Sequence, residues 1–298
     1  MRVIEPIQMT DDILTDSNVP EDDHPEWDVA TSYTTGDKVI VISTHRIYEA
    51  LQATTGDDPA TDDGTNWLDI GATNRYRAFD GSIEGATQQN DTIKYEFTLT
   101  TTLSGIAALS ISAAVLKVNI DDPVEGPIDE IEIPLIDTTE VIDWFTYFYG
   151  PLTQQRDVIL SELPLFVGAV VTFELTGAGL LSLGELVLGN DKDLGTSTTG
   201  TALSIEDFSI KSKDDFGRTF IVERAFANTV TFEFAIPTTG AGRVRRILSD
   251  LRARPAVYFT DPNQTALGGT VYGFPRDFRI NLQTPTVAFA TLEIEGLT

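Results

Sequence analysis

The side chains of this chain that could do chemistry are mostly carboxylates. Its 298 residues include 46 Asp and Glu but only two histidines, His24 and His45, and no cysteine. This composition removes disulfides, thiolate nucleophiles and cysteine-based zinc sites. It also makes a serine–histidine–aspartate triad or a multi-histidine metal site hard to build. What remains is the chemistry of carboxylate pairs and of carboxylate-bound cations.

Carboxylate pairs cleave glycosidic bonds when a fold sets their separation. Two pairs could be offered for this role, Glu162 with Glu174 and Asp143 with Glu140. Chance pairs abound among 46 carboxylates, so neither pair stands out. We therefore predict that the chain is not an enzyme and uses no cofactor, and glycan hydrolysis stays as an alternative.

Four aspartates crowd a polar loop over residues 54–65: Asp57, Asp58, Asp62 and Asp63. Calcium prefers several carboxylates at close range. The run 57–64 lacks the spacing of the helix–loop–helix calcium loop, so it favours a solvated acidic turn. We predict no metal site there.

Aromatic side chains are the second group with binding potential, because a sugar stacks on a flat apolar ring. The short segment 25–71 cannot bury a large core, so its aromatic residues either form a small core or bind a glycan. A block at 144–149 offers a further ring and, read as a strand, would turn one face to the core. The candidate carbohydrate-binding residues are Trp27, Tyr33, Tyr48, Trp67 and Trp144.

The net charge of −26 limits the classes of binding partner that the chain can have. Residues 1–75 alone hold 16 acidic and 4 basic side chains. Phosphate affinity needs cationic neutralisation, so direct nucleic-acid binding is not expected. The N-terminus has no apolar stretch after a basic start, so no signal peptide is predicted. The most apolar region, 160–188, is broken by charges, glycines and a proline, so no membrane insertion is predicted.

One amphipathic helix is predicted over residues 243–252. Its apolar residues recur at spacings of three and four and share one face: Val244, Ile247, Leu248 and Leu251. Its arginines would either be solvated or dock electrostatically on an acidic neighbour. The candidate interface residues are Arg243, Arg245, Arg246 and Arg252.

The chain divides into four parts by pattern. Residues 1–24 are rich in turn formers and predict a solvated N-terminal arm that orders against a neighbour. Residues 25–72 predict a small β module with a hairpin over 38–42 and 46–51. Residues 73–192 predict a jelly-roll β-sandwich, and 196–298 predict a β-sandwich or barrel with one helix, including a long strand over 220–234. The fold class is therefore mostly β.

The small module resembles the chitin-binding domains of bacterial chitinases. The shared features are the leading Trp27, the segment 33–39 with its tyrosine, Gly-Asp and valine, the Tyr48-Glu49-Ala50 strand and the late Trp67. In that family, exposed aromatics after the tyrosine–alanine strand supply much of the sugar affinity. Residues 52–55 here contain none, which favours a small core that decorates or docks.

A second resemblance begins at residues 71–81, with Gly71, the Thr73-Asn74-Arg75 run, Tyr76 and Phe79. An arm, a chitin-binding-like hairpin and such a segment occur in this order in structural proteins of tailed bacteriophages. The C-terminal pattern is similar to phage tail and baseplate proteins, and the middle unit to galactose-binding jelly rolls.

The resemblance implies a structural protein of the virion, at the tail tip or baseplate, that is assembled in the host cytoplasm. It would act by oligomeric assembly with its own copies and with other tail proteins, and contact a host-surface glycan. The alternatives are a secreted or virion carbohydrate-binding protein without an assembly role, and a tail-associated glycan hydrolase.

Overall fold

The computed structural model describes residues 1–83, 85–137, 141–150, 153–198, 200–213, 216–260, 269–281 and 284–297. Strands make up 56% of the chain and helices 8%, which confirms the predicted mostly-β class. The strands of its sheets pair antiparallel, as expected for sheets built from hairpins and returning strands.

The N-terminal part and the small module contain seven strands. They are β1 (Arg2–Pro6), β2 (Leu14–Ser17), β3 (Ser32–Tyr33), β4 (Lys38–Val41), β5 (Arg46–Ala50), β6 (Thr54–Thr55) and β7 (Trp67–Ala72). Strands β4, β5 and β7 form a three-stranded sheet, and β3 pairs with β6. The predicted hairpin is confirmed as the β4–β5 pair, in which Val39 lies opposite Tyr48.

The middle part begins with a 3-10 turn (Arg77–Phe79) and continues through nine strands and a short helix. They are β8 (Thr87–Thr98), β9 (Leu103–Leu109), β10 (Val115–Asp122), β11 (Gly126–Pro134), β12 (Ile136–Asp137), α1 (Trp144–Tyr149), β13 (Thr153–Gln154), β14 (Val158–Leu165), β15 (Val170–Leu183) and β16 (Glu185–Asp193).

The C-terminal part contains eight strands and the second helix. They are β17 (Thr196–Ser197), β18 (Ala202–Asp207), β19 (Ile210–Lys213), β20 (Thr219–Val222), β21 (Phe226–Pro237), a 3-10 turn (Thr238–Gly240), α2 (Ala241–Asp250), β22 (Ala256–Phe259), β23 (Thr270–Asn281) and β24 (Val287–Gly296).

A ten-stranded sheet joins the middle and C-terminal parts. Its order is β14-β9-β16-β1-β22-β23-β24-β21-β17, and β18 also pairs with β21. A five-stranded sheet, β11-β10-β15-β8-β2, contributes the other layer of the jelly-roll-like sandwich. The core of this sandwich takes Phe97 and Phe173 from the smaller sheet and Ile106 and Leu188 from the larger one.

Strand β1 occupies the middle of the large sheet, between β16 and β22. This corrects the expectation of a solvated arm over residues 1–24. Val3 packs in the C-terminal core and Ile4 in a separate cluster, and both are 0% exposed. Side chains of consecutive strand residues point to opposite faces, so one short strand fills two cores.

The charged residues at the two ends of β1 are paired with residues of the neighbouring strand β16. Arg2 forms an ion pair with Asp191 at 2.8 Å, and Lys192 pairs with Glu5. The neighbouring strand also makes room for the backbone of β1. A Cβ atom at Gly189 would lie only 2.0 Å from the Glu5 carbonyl oxygen, so this position requires glycine.

The predicted amphipathic helix corresponds to α2, which begins two residues earlier and ends two residues earlier than expected. Its predicted apolar face is buried against the sheet, together with Leu251 just after the helix. The long strand expected over 220–234 is divided into β20 and β21 by a break at Glu223, Arg224 and Ala225.

Candidate functional site

Three of the four aromatic residues of the small module form its core. Tyr33, Tyr48 and Trp67 are 9%, 8% and 2% exposed, and the Tyr33 and Trp67 rings meet edge to face at 5.1 Å. Trp27 packs against them and is half-buried. A sugar needs an accessible ring face, so Tyr33, Tyr48 and Trp67 act here as core residues and only Trp27 keeps part of its ring accessible.

The segment after the module, residues 73–76, connects the module to the sandwich through polar contacts. His45 stacks on Tyr76 with ring centroids 3.6 Å apart, and its Nε2 and Nδ1 lie 2.8 Å from Asp11 and 3.0 Å from Glu21. Thr73 donates to Glu21 at 2.7 Å, and the Tyr76 hydroxyl donates to Asp11 at 2.6 Å. This hydroxyl lowers the pKa of Asp11, while burial and Asp11 raise the pKa of Tyr76.

A buried carboxyl lies where the middle and C-terminal parts meet. Glu185 is 4% exposed, and its oxygens accept from the Gly81 amide at 3.2 Å and the Tyr272 hydroxyl at 3.3 Å. Burial, followed by the nearby Asp80 carboxylate, raises the pKa of Glu185 to about 9, and burial also raises the pKa of Asp80. The group is therefore protonated at neutral pH and links three separate segments of the chain.

Of the two carboxylate pairs offered for hydrolysis, the structure places both members of only one, and these two lie in different sheets. Glu162 lies in β14 and pairs with Arg2, whereas Glu174 lies in β15 of the other sheet. Asp143 caps helix α1, and its bond from the Thr146 amide lowers the pKa of its carboxyl. Its proposed partner, Glu140, lies outside the described residues.

The aspartate loop uses its carboxylates as acceptors for its own backbone. Asp62 accepts from the amides of Gly64, Asn66 and Trp67 at 2.9–3.0 Å, and Asp58 accepts from a neighbouring amide. Within the described ranges, no group of three or more His, Asp or Glu side chains is placed to hold a metal ion.

The aromatic block at 144–149 is helical, not the alternating strand that the sequence predicted. Asp143 and Thr146 form a capping box in which the Thr146 amide donates to Asp143 Oδ1 at 2.7 Å. All five rings, Trp144 included, are 62–78% exposed, so none packs in a core. The Trp144 and Phe148 rings stack with centroids 6.1 Å apart, and the short strands β12 and β13 pair on either side.

Strands β18, β19, β20 and the beginning of β21 form an antiparallel extension at the end of the large sheet, here called the hairpin arm (residues 202–213 and 216–231). Beyond the last pairing of β21 with β24, at Thr229, the arm is two-stranded. The sequence predicted a long strand over 220–234 in this region but not the arm itself. Eight of its large apolar side chains are 44–68% exposed: Leu203, Ile205, Phe208, Ile210, Phe220, Ile221, Val222 and Phe226.

The predicted interface arginines lie along the outer face of α2 and just beyond it. Arg243, Arg245, Arg246 and Arg252 are all exposed, and none forms an ion pair within the part of the chain that the structure describes. A groove of 300 Å³ between α2 and β23 is lined by two of them, by Asp277 and by Arg276. Arg276 pairs with Glu206 and Glu293, so among the described residues of this region the unpaired cations are those of α2. This is a cationic surface on a strongly acidic chain.

The described residues include no helix that is both long and apolar enough to cross a bilayer. Neither a protein-family model nor a curated protein sequence matches this chain.

Proposed function

We propose that this chain is a structural component of a tailed-phage virion, at the tail tip or baseplate, and that it acts by assembling with copies of itself and with other tail proteins. The phage assignment rests on the resemblance of residues 71–81 and of the order of the parts. The assembly role rests on one observation, the exposed apolar surface of the hairpin arm.

A two-stranded ribbon is marginally stable in water unless something covers it. In this arm Phe220, Ile221 and Val222 are consecutive and all more than half exposed, so both faces of the ribbon carry apolar side chains. Exposed apolar surface of this extent marks an interaction site. A partner that covers the arm would bury these side chains and stabilise the ribbon.

The position of the arm supports a partner that pairs with a sheet edge. Strand β18 lies outside β21 at one end of the large sheet, and β14 lies at the other end. Edge strands present unpaired backbone groups that a second chain can use. A head-to-tail contact of this kind, repeated by rotation, closes into a ring.

Charge decides how such copies can approach each other. Chains with a net charge of −26 repel each other, so a contact between copies needs a cationic surface on one side. The exposed arginines of α2 supply that surface and meet an acidic face of the neighbour. We therefore expect assembly to weaken as salt rises, because salt screens exposed charges.

The test measures the oligomeric state of the full chain by mass photometry and light scattering. Wild type forms an oligomer, and the double variant Ile205→Lys/Phe220→Lys shifts to monomer with unchanged circular dichroism. Val124→Lys, at a residue 92% exposed on a distant turn, is the matched control and keeps the oligomer. A monomeric wild type that is also absent from mass spectra of purified particles contradicts the proposal.

A second pair of variants tests the arginine surface. Arg245→Glu reverses one exposed charge and weakens the oligomer in low salt. Arg279→Glu, a charge reversal outside α2, has a much smaller effect. Equal effects of the two changes would mean that net charge, not the α2 surface, controls assembly.

Host glycan contact is part of the proposal, and the two alternatives are distinguished by binding and cleavage. A carbohydrate-binding protein is retained on chitin or a galactose-rich polysaccharide, and Trp27→Ala or Trp144→Ala reduces retention. A hydrolase releases reducing ends from host polysaccharide. Absence of binding on a broad glycan array would remove the carbohydrate-binding alternative.

A further inference from the structure

Residues 141–150, here called the aromatic tip, form an exposed apolar projection that the proposed assembly does not use. Ile142 is 83% exposed and Trp144 78%, and the other four rings of α1 are 62–76% exposed. Aromatic side chains present about 150–250 Å² each, so the five rings expose roughly 500–900 Å². That is a large apolar area for one helix of six residues.

The arrangement of the rings around α1 limits what can cover them. At 100° per residue the rings of residues 144, 145, 147, 148 and 149 span about 200° of the helix circumference. A helix that docks in a protein groove needs an apolar stripe of about 100°. The aromatic rings of α1 cover an arc twice as wide. A lipid or other environment that surrounds the helix would cover these rings more completely than a protein groove that contacts one side.

The charge of the tip indicates the kind of medium. Asp143 is the only charged side chain among residues 141–150, so the tip has no cation to pair with an anionic surface. The net charge of −26 adds repulsion from anionic lipid. Tryptophan and tyrosine combine an apolar ring with a polar group and are enriched where hydrocarbon meets water.

We propose that the aromatic tip inserts into the interfacial region of a zwitterionic phospholipid bilayer. Insertion is shallow, because a short helix leaves carbonyl groups without internal partners and the Asp143 carboxylate must stay hydrated. The rings therefore lie at the boundary of headgroups and acyl chains. This contact does not depend on the assembly proposed above, and it differs from the membrane-spanning insertion that the sequence argues against.

The experiment uses the full chain and phosphatidylcholine vesicles whose acyl chains carry bromine. Trp144 fluorescence shifts to the blue and is quenched on binding, whereas Trp67, 2% exposed, is unaffected. Trp144→Phe retains vesicle binding and loses the quenched component. Trp144→Ser/Phe148→Ser lowers the partition coefficient more than about tenfold, because two rings no longer leave water.

The control variant is Phe220→Ser, which removes an exposed ring from the hairpin arm and leaves vesicle binding unchanged. Binding is also unchanged between low and high salt, since no charge pair is involved. Three results would each overturn the proposal: no quenching at millimolar lipid, an equal loss in Phe220→Ser, or dissociation of an oligomer by Trp144→Ser/Phe148→Ser without vesicles. The last result would identify the tip as a protein contact.

The two proposals fail separately. A monomeric chain that binds vesicles through Trp144 contradicts assembly and retains the lipid contact. An oligomer that ignores phosphatidylcholine contradicts the lipid contact and retains assembly.

Discussion

Replacing Glu185 by glutamine should make the protein more stable at pH 8 and leave its stability at pH 5 nearly unchanged. The carboxyl is buried between the Gly81 amide and the Tyr272 hydroxyl, with Asp80 nearby. A glutamine side chain keeps one acceptor oxygen for the Gly81 amide, and its NH₂ group can donate to the Tyr272 hydroxyl oxygen, since a hydroxyl both donates and accepts. The substitution thus removes the titration while preserving shape.

The size of the effect follows from the pKa of Glu185, which folding raises from 4.5 to about 9. Between these values the folded chain binds more protons than the unfolded chain, so the free energy of unfolding falls as the pH rises. Each pH unit within this window costs about 1.4 kcal/mol. From pH 5 to pH 8 the carboxyl therefore costs about 4 kcal/mol of stability, or roughly 10 °C in Tm.

The assay is denaturant unfolding of wild type and Glu185→Gln at pH 5, 6, 7 and 8. The difference between the two proteins isolates this group, because all other titrating residues are shared. It should rise steadily from about zero to about 4 kcal/mol. Glu130→Gln, on the exposed strand β11, is the matched control and should show no pH-dependent difference. If Glu185→Gln has the wild-type dependence of stability on pH, or is less stable than wild type at pH 8, Glu185 is not buried in its protonated form as described.

Two further substitutions test the fold. Val3→Asp places a carboxylate in a fully buried position between the sheet and α2 and should cost more than about 3 kcal/mol, whereas Thr10→Asp on the surface should change the free energy of unfolding by less than about 0.5 kcal/mol. Similar values for the two would show that β1 is not part of the core. Trp67→Ala removes a large buried ring from the small module and should lower the module's free energy of unfolding by about 3–5 kcal/mol. Hydrogen exchange should become faster in β4, β5 and β7 and stay slow in β24. A uniform loss of protection would contradict a separate module core.

Local patterns were sufficient to predict much of the fold. Alternation over residues 38–51 predicted the β4–β5 hairpin, and the spacing of Val244, Ile247 and Leu248 predicted the buried face of α2. These predictions worked because a period of two or of 3.6 is a property of neighbouring residues. The same patterns located the arginines of α2 on its exposed face, since they occupy the positions between the apolar ones.

The block at 144–149 shows where local propensity is insufficient. Aromatic residues favour strands, but that preference depends on packing against a neighbouring strand. Here the Asp143–Thr146 capping box supplies hydrogen bonds that start a helix, and the rings remain exposed. Residue type was also insufficient for Tyr33, Tyr48 and Trp67, the predicted carbohydrate-binding residues. Aromatic side chains are equally suited to stacking on sugar and to filling a small core.

The sequence by itself determined the acidic charge, the absence of thiol chemistry, the mostly-β class and the apolar faces of its clearest elements. Only the tertiary structure decided that residues 2–6 form a central strand, that Glu185 is buried and protonated, and that the hairpin arm and aromatic tip stay uncovered. The physical reason is that the spacing of apolar residues indicates which face of a helix or strand avoids water. Whether that face is buried depends on strands that are far away in the sequence. β1 is buried because β16 and β22, more than 180 residues later, lie on either side of it.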